Sequence, residues 1–277
     1  MKIARIINNN VVSTTDSEGA EIVAMGRGIG FRAKEGDSID PNKVEKIFRL
    51  ESQNSMDQFK ELLAKLPMEH IEVSVEIISY AKKVMNRSLN PNVYVTLTDH
   101  IDFAIKRCKR QMMFPNPLLR EIRNFYREEY LIGEYAIALI ERKLGIKFPP
   151  DEAASIALHI VNAEFGSPMG ETIRLTNLMQ QILQLVQETF ALEYDKDSLN
   201  YERFTTHLRF LAQQVISGEL QKEDEEELQQ VLLRLCPEEF SCSQKIAQMI
   251  QLQHGHRISG AEICDLALHI RRIRNHG

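Results

Sequence analysis

The chain has 277 residues, of which 43% are hydrophobic and 26% are charged, the balance of an ordinary globular protein of one to three domains. It holds no run of 18 apolar residues, and its first residues turn polar too soon for a signal peptide. We therefore expect a cytoplasmic protein with no direct membrane insertion.

The charge is unevenly distributed along the chain. A net charge of −5 argues against a nucleic-acid partner. Up to residue 34, however, five Lys and Arg face three Asp and Glu, a local balance of +2, and acidic residues concentrate further on, as in Glu223–Glu227. This N-terminal balance weakly indicates nucleic-acid binding, and dimerisation would double it.

Four cysteines occur, at positions 108, 236, 242 and 264. They show no C-x-x-C spacing, and three of them lie in helical patterns. We expect reduced and mostly buried thiols.

The first fifty residues are predicted to form strands joined by turns. Four runs have the length and composition of strands: Lys2–Ile7, Val11–Thr15, Glu21–Met25 and Val44–Leu50. The turn-forming clusters between the first three strands and after them are Asn8–Asn10, Asp16–Gly19 and Gly26–Phe31. We predict a small antiparallel β-meander, followed by a polar break at residues 51–55. So small a unit has little core of its own, which favours self-association.

The asparagine and glycine turns carry side chains that suit a nucleic-acid site. Asparagine offers a donor and an acceptor together, and glycine lets a ligand approach the main chain. Arg27 and Phe31 add a cation and a ring that can stack on an unpaired base. The spacing G-x-G-x-G, with no helix signal after it, disfavours a dinucleotide loop. An ordinary tight connection in a β domain is the alternative that these residues leave open.

From Met56 onward the apolar residues recur with a helical period, and the sequence contains two similar copies of one segment. Leu97–Ala104 has a counterpart in Phe204–Leu211, and Ile156–Ile160 has one in Leu266–Ile270. The histidines in these segments are offset by 107 and 110 residues, which indicates duplicated domains. The glycine-rich segment 166–170 is the natural boundary between the copies. Each copy, about 105 residues long, is expected to form a bundle of four or five helices.

The sequence also marks where two of the helices begin. Pro149–Glu152 places proline and acidic residues at the first turn of the helix that carries His159. Ser259–Glu262 fits a capping box at the start of the helix that carries His269. His159 lies at the margin of an apolar face, where packing orients the ring and leaves it reachable.

The histidines at matching places in the two copies are His100, His159, His207 and His269. Any one of them alone is more often structural than functional. Their spacing disfavours a metal site, and a hydrolase is disfavoured because no G-x-S-x-G occurs. A phosphoryl acceptor is the third possibility, because a neutral imidazole is a competent nucleophile near pH 7. The added charge should be repelled by Asp99, and less strongly in the second copy, where Thr206 takes the matching place.

These features, in this order, resemble the BglG/SacY family of bacterial transcriptional antiterminators, of the LicT type. The resemblance is carried by Asn8–Asn10, Met25–Phe31, Leu97–His100 and the two Ala-Leu-His-Ile motifs, and it covers essentially the whole chain. It implies a multidomain protein: a small N-terminal antiparallel β domain that dimerises and binds RNA (residues 1–55), then two all-α helical-bundle PTS regulation domains (residues 56–169 and 170–277).

The resemblance further implies partners and sites. The β domain would bind an RNA hairpin in a leader transcript and prevent an overlapping terminator from forming. The implied RNA contacts are Arg5, Asn8, Asn9, Asn10, Gly26, Arg27, Gly28 and Phe31. The four histidines would accept phosphate from the phosphocarrier HPr and a sugar-specific enzyme II permease. Modification of His100 or His159 would inactivate, and modification of His207 or His269 would favour the active homodimer.

The resemblance implies a regulator and not an enzyme, with no cofactor, metal or catalytic residue. A DNA-binding activator that carries related regulatory domains is the alternative. It is disfavoured because no helix-turn-helix pattern precedes the repeats.

Overall fold

The computed structural model describes residues 1–50, 52–166, 169–218 and 226–275. The predicted break at 51–55, the boundary at 166–170 and the acidic run at 223–227 therefore lie partly outside the described residues. In chain order the elements are β1 (Arg5–Asn8), β2 (Val11–Thr15), β3 (Glu21–Met25), a 3-10 helix (Pro41–Lys43), β4 (Lys46–Phe48), α1 (Gln53–Lys65), α2 (Met68–Met85), α3 (Val93–Lys109), α4 (Leu119–Phe125), α5 (Arg127–Leu144), α6 (Pro150–Phe165), α7 (Met169–Phe190), α8 (Leu199–Ser217), α9 (Glu226–Leu235), α10 (Pro237–His254) and α11 (Gly260–Asn275).

These elements form two compact units. One holds the strands with α1, α2, α3, α5 and α6, and the other holds residues 120–125 with α7 to α11. None of the described helices combines the length and the apolar character that crossing a bilayer requires. The four cysteines are free thiols, three of them buried and Cys108 half-buried, as predicted.

The strands form the predicted antiparallel meander, in the order β1-β2-β3-β4. β2 and β3 have the predicted bounds, and β4 is shorter than the predicted run. Val11 pairs with Met25 at one end of the β2–β3 ladder, and Thr15 pairs with Glu21 at the other. The Asp16 carboxylate closes the turn between them by accepting hydrogen bonds from the amides of residues 18 and 20, at 2.8 and 3.0 Å.

The two central strands, β2 and β3, bury residues on both faces of the sheet, and alternate residues of a strand point to opposite faces. Val12 and Ala24 face a small cluster inside the β domain. Val11 and Val23 instead join the large core that the helices of the same unit build. Helices of the same chain thus supply the core that a fifty-residue domain lacks. The β domain therefore does not need self-association for its stability, which was one reason to expect a dimer.

Over its described residues, 52–55, the predicted polar break is the cap and first turn of α1. The Ser52 hydroxyl caps this helix by accepting a hydrogen bond from the Ser55 amide at 3.1 Å. Met56, Phe59 and Leu63 then recur at helical spacing and are buried. Helix caps and linkers favour the same polar residues, so composition alone could not separate the two.

The duplication places corresponding histidines on corresponding helices. His100 lies on α3 and His159 on α6, whereas His207 lies on α8 and His269 on α11. The predicted helix starts are confirmed. Proline opens α6, and the Ser259 hydroxyl accepts a hydrogen bond from the amide three residues later, at 3.2 Å.

Candidate nucleic-acid surface and paired histidines

Hydrogen bonds join the asparagine turn and the glycine-rich turn into one surface. The Asn10 side-chain oxygen accepts from the Gly28 amide at 2.8 Å, and its carbonyl accepts from the Gly26 amide at 2.9 Å. The Asn9 carbonyl accepts from the Gly30 amide at 3.0 Å. Two predicted clusters, sixteen or more residues apart in sequence, are therefore one site.

Glycine is required here by close backbone approaches. A Cβ on Gly26 would lie 1.7 Å from the Lys43 carbonyl oxygen, and one on Gly30 would lie 2.3 Å from the Asn8 carbonyl oxygen. Neither distance is compatible with a side chain. These glycines hold the loop against its neighbours and so determine where Arg27 and Phe31 project.

The surface presents a ring and several cations to solvent. Phe31 is 58% exposed, and Asn9 and Arg27 are exposed as well. Arg5 is also exposed, but it lies beside α1, where it lines a groove with Asp57 and Lys60. The guanidinium carbon of Arg32 lies 5.3 Å from the centre of the Phe31 ring. An exposed ring beside a cation is suited to stacking on an unpaired base. Arg32 was not among the predicted contacts, although its place next to Phe31 was a usable signal.

Asn8 is held differently from its two neighbours. Its side-chain amide donates a hydrogen bond to the Leu63 carbonyl of α1 at 2.8 Å, and its side-chain oxygen accepts from the Asn10 amide at 2.8 Å. In this conformation Asn8 ties the turn to α1 and is half-buried. Among the hydrogen bonds of the described residues, no other predicted RNA contact has a side chain bonded to α1 in this way.

In each copy the structure brings the two predicted histidines together. The ring centres of His100 and His159 are 4.5 Å apart, and those of His207 and His269 are 4.9 Å apart. Pairing of residues about sixty positions apart makes each copy a single site with two imidazoles. Among the described residues, no group of three or more His, Cys, Asp or Glu side chains is arranged to hold a metal ion.

The carboxylate beside each pair is not the one expected from the sequence. Asp99 is exposed on α3, whereas Glu152 Oε1 lies 2.8 Å from His100 Nε2. In the second copy Glu262 Oε2 lies 3.4 Å from His207 Nε2. The expectation of repulsion by Asp99, and of weaker repulsion in a second copy without that carboxylate, is corrected, since both copies have a glutamate.

The sequence predicts both glutamates only as residues of helix starts. Glu152 is a first-turn acid of α6, and Glu262 is the partner in a capping box. The signal that could have revealed them is their repetition: each stands seven residues before the second histidine of its copy. Seven residues are two helical turns, which places the glutamate and the histidine on the same helix face.

Burial keeps the second histidine of each copy neutral. It lowers the pKa of His159 to about 3, with a further contribution from His100, and the pKa of His269 to about 4, with a further contribution from His207. The pKa of His207 is lowered too, mainly by burial, although Asp265 opposes the shift. Neutral rings at pH 7 have a free lone pair, so these groups can act as nucleophiles.

We expect acid to destabilise the wild type more than a His159→Gln variant. Because the folded pKa of His159, about 3, lies below the ordinary value of 6.5, the unfolded chain takes up the proton first as the pH falls. The stability that neutral His159 contributes to the folded state is fully present above pH 6.5, and it is lost progressively as the pH falls from 6.5 toward 3. Between pH 7 and 5.5 the wild type should lose about 1 kcal/mol more than the variant. Urea unfolding at both pH values measures this, and equal losses would contradict it.

The comparisons with known proteins identify the class. Residues 1–57 match the CAT RNA binding domain, and residues 75–163 and 180–273 match the PRD domain. The chain therefore joins an RNA-binding β domain to two copies of a regulatory domain. It belongs to the BglG/SacY family of transcriptional antiterminators and, within that family, to the LicT type.

Individual relatives are similar over the whole length. The chain is 41% identical over 273 residues to transcription antiterminator LicT of Bacillus subtilis (strain 168), covering 99% of each chain. It is 38% identical over 275 residues to the beta-glucoside operon antiterminator of Dickeya chrysanthemi, covering 99% of this chain and 97% of that one. A crystal structure of GlcT CAT-PRDI, at 36% identity, matches with a TM-score of 0.54 and covers 59% of this chain and 97% of that chain.

Proposed function

We propose that this protein is an RNA-binding antiterminator that acts in the cytoplasm as a regulator and not as an enzyme. As a homodimer it binds a hairpin in a leader transcript and prevents the overlapping terminator from forming. The observation that carries this proposal is the surface on which Asn10 holds the glycine turn while Arg27 and Phe31 remain exposed. A-form RNA offers 2′-hydroxyls to asparagine and backbone groups, and a base freed by a loop or bulge can stack on Phe31.

The proposed RNA contacts are Arg5, Asn8, Asn9, Asn10, Gly26, Arg27, Gly28 and Phe31. Arg5 and Arg27 supply positive charge toward phosphates. Asn8 differs from the others, because its side-chain amide already donates to the Leu63 carbonyl and its side-chain oxygen already accepts from the Asn10 amide. The proposed domain bounds are residues 1–55, 56–169 and 170–277.

For control, we propose that His100, His159, His207 and His269 accept phosphoryl groups from HPr and a sugar-specific enzyme II permease. Each acceptor lies in a pair whose second ring is kept neutral by burial. A phosphoryl group adds close to two negative charges beside a glutamate and a packed face, which shifts a two-state dimer. Modification of the first copy inactivates the protein, and modification of the second favours the active dimer.

RNA binding is tested with the full chain in a gel-shift assay. The leader hairpin is compared with duplex DNA of the same sequence at one salt concentration, because electrostatic binding depends on salt. We expect a shift with the hairpin only. Equal binding to both, or binding to neither, would end the proposal.

Phosphorylation is tested by incubation with phosphoenolpyruvate, enzyme I and HPr. We expect label on histidine, and none in a variant with alanine at all four positions. Label that persists in this variant would show that other residues are the acceptors.

A further inference from the structure

A buried or half-buried glutamate repeats together with the histidine pairs. Glu152 and Glu262 are 110 residues apart, as are His159 and His269. The side chain of Glu152 is only 4% exposed and that of Glu262 is 20% exposed. The two carboxylates occupy the same place in the two copies, beside the first histidine of each pair, which indicates a shared task.

The contact of each glutamate is with the first histidine of its copy. The Nε2 atoms of His100 and His207 are enclosed, and the carboxylate oxygens lie 2.8 and 3.4 Å from them but out of line for a hydrogen bond. The carboxylate therefore faces Nε2 without an aligned hydrogen bond, and its attraction to the ring depends on the charge of the ring. This attraction is strongest when the imidazole ring carries a positive charge.

The two copies differ in what holds the glutamate. In the first, the Arg107 guanidinium contacts both Glu152 oxygens, at 3.0 and 3.2 Å. Arg107 follows His100 by seven residues, and the residue that follows His207 by seven is Gln214. Within the described part of the chain, the Arg107 Nε–H is enclosed and lacks an acceptor, so Glu152 does not use all of the donors of this guanidinium. Gln214 offers no positive charge.

We propose that Glu152 and Glu262 are positioning residues that prepare His100 and His207 to accept a phosphoryl group, and that Arg107, replaced by Gln214 in the second copy, makes the two acceptors unequal. This inference rests on the proposed phosphorylation. Because Nε2 is enclosed, Nδ1 is the attacking atom.

The step conserves atoms and charge. The Nδ1 lone pair forms the new N–P bond, the P–N bond of the donor phosphohistidine breaks, and its electron pair returns to the donor ring. The proton stays on Nε2, so the product ring is positively charged. The neighbouring carboxylate stabilises that charge as it develops, and in the first copy Arg107 attracts the incoming phosphoryl oxygens.

The test uses the full chain, because trypsin separates the four histidines. His100 falls in peptide 88–106, His159 in 148–174, His207 in 204–209 and His269 in 258–271. The protein is phosphorylated either by phospho-HPr or by phosphoramidate, a chemical donor with a P–N bond. Digestion at neutral to mildly alkaline pH preserves phosphohistidine, and mass spectrometry then gives an initial rate for each site.

Glu152→Gln should slow labelling of His100 about tenfold or more, because one charge-assisted interaction is lost. The rate of labelling of His207 should stay unchanged. Glu262→Gln should do the reverse, so each variant controls the other. Glu152→Asp keeps the charge and should retain most of the rate. Gln214→Arg should raise labelling of His207 about threefold to tenfold. Thermal unfolding of each variant confirms that it is folded.

The outcomes separate this inference from the proposed function. Labelling of His100 at equal rates in the wild type and Glu152→Gln overturns the inference alone. Equal loss in the Asp and Gln variants also overturns it, because a structural role does not depend on the charge. Absence of label from all four histidines with both donors overturns the proposed phosphorylation itself. The N–P bond should be at Nδ1 of His100 by NMR, and a bond at Nε2 contradicts the assigned step.

Discussion

Replacing Phe31 with alanine should weaken binding of the leader hairpin about tenfold to hundredfold, the contribution of one stacked base. The ring is 58% exposed, so its removal costs the fold little. Arg27→Ala should weaken binding as well and lower the dependence on salt, because one cation fewer displaces counterions. Fluorescence anisotropy with labelled hairpin, at several salt concentrations, measures both effects.

The matched control is Phe210→Ala. Phe210 is 57% exposed and lies on α8, outside the β domain. Its loss should leave hairpin affinity unchanged. If the two phenylalanine variants bind equally well, the surface around Phe31 is not the RNA site.

Gly133→Ala should destabilise the unit that contains the sheet and α6 by about 1–3 kcal/mol. A Cβ at this position of α5 would lie 2.1 Å from the Ala153 carbonyl oxygen of α6. The helices can accept it only by moving apart, and Ala153 is the neighbour of Glu152. We therefore expect a lower urea midpoint together with slower labelling of His100.

A second helical glycine separates this clash from the general effect of alanine. Gly170 lies in α7, and a Cβ there would meet nothing within 4 Å. Gly170→Ala should be neutral or stabilising by about 0.5–1 kcal/mol, since alanine restricts the unfolded chain. An unchanged urea midpoint for Gly133→Ala would mean that α5 and α6 are not packed as closely as described.

The local structure was largely predictable from local signals. The bounds of β2 and β3 followed from short apolar runs between turn formers, and the starts of α6 and α11 followed from proline and serine at their first turns. The start of α1 was not recognised, because the cap residue Ser52 and its neighbours have the composition of a linker.

The sequence by itself determined the strands, the turn chemistry, the duplication and the places of the four histidines, because strand and helix periods and residue types are local properties. Only the tertiary structure decided which side chains meet. It put Glu152 and not Asp99 beside His100, turned Asn8 toward α1, and covered one face of the sheet with helices of the same chain. The physical reason is that periodicity shows which face of an element is buried but not which distant element covers it, and that choice depends on how the whole core packs.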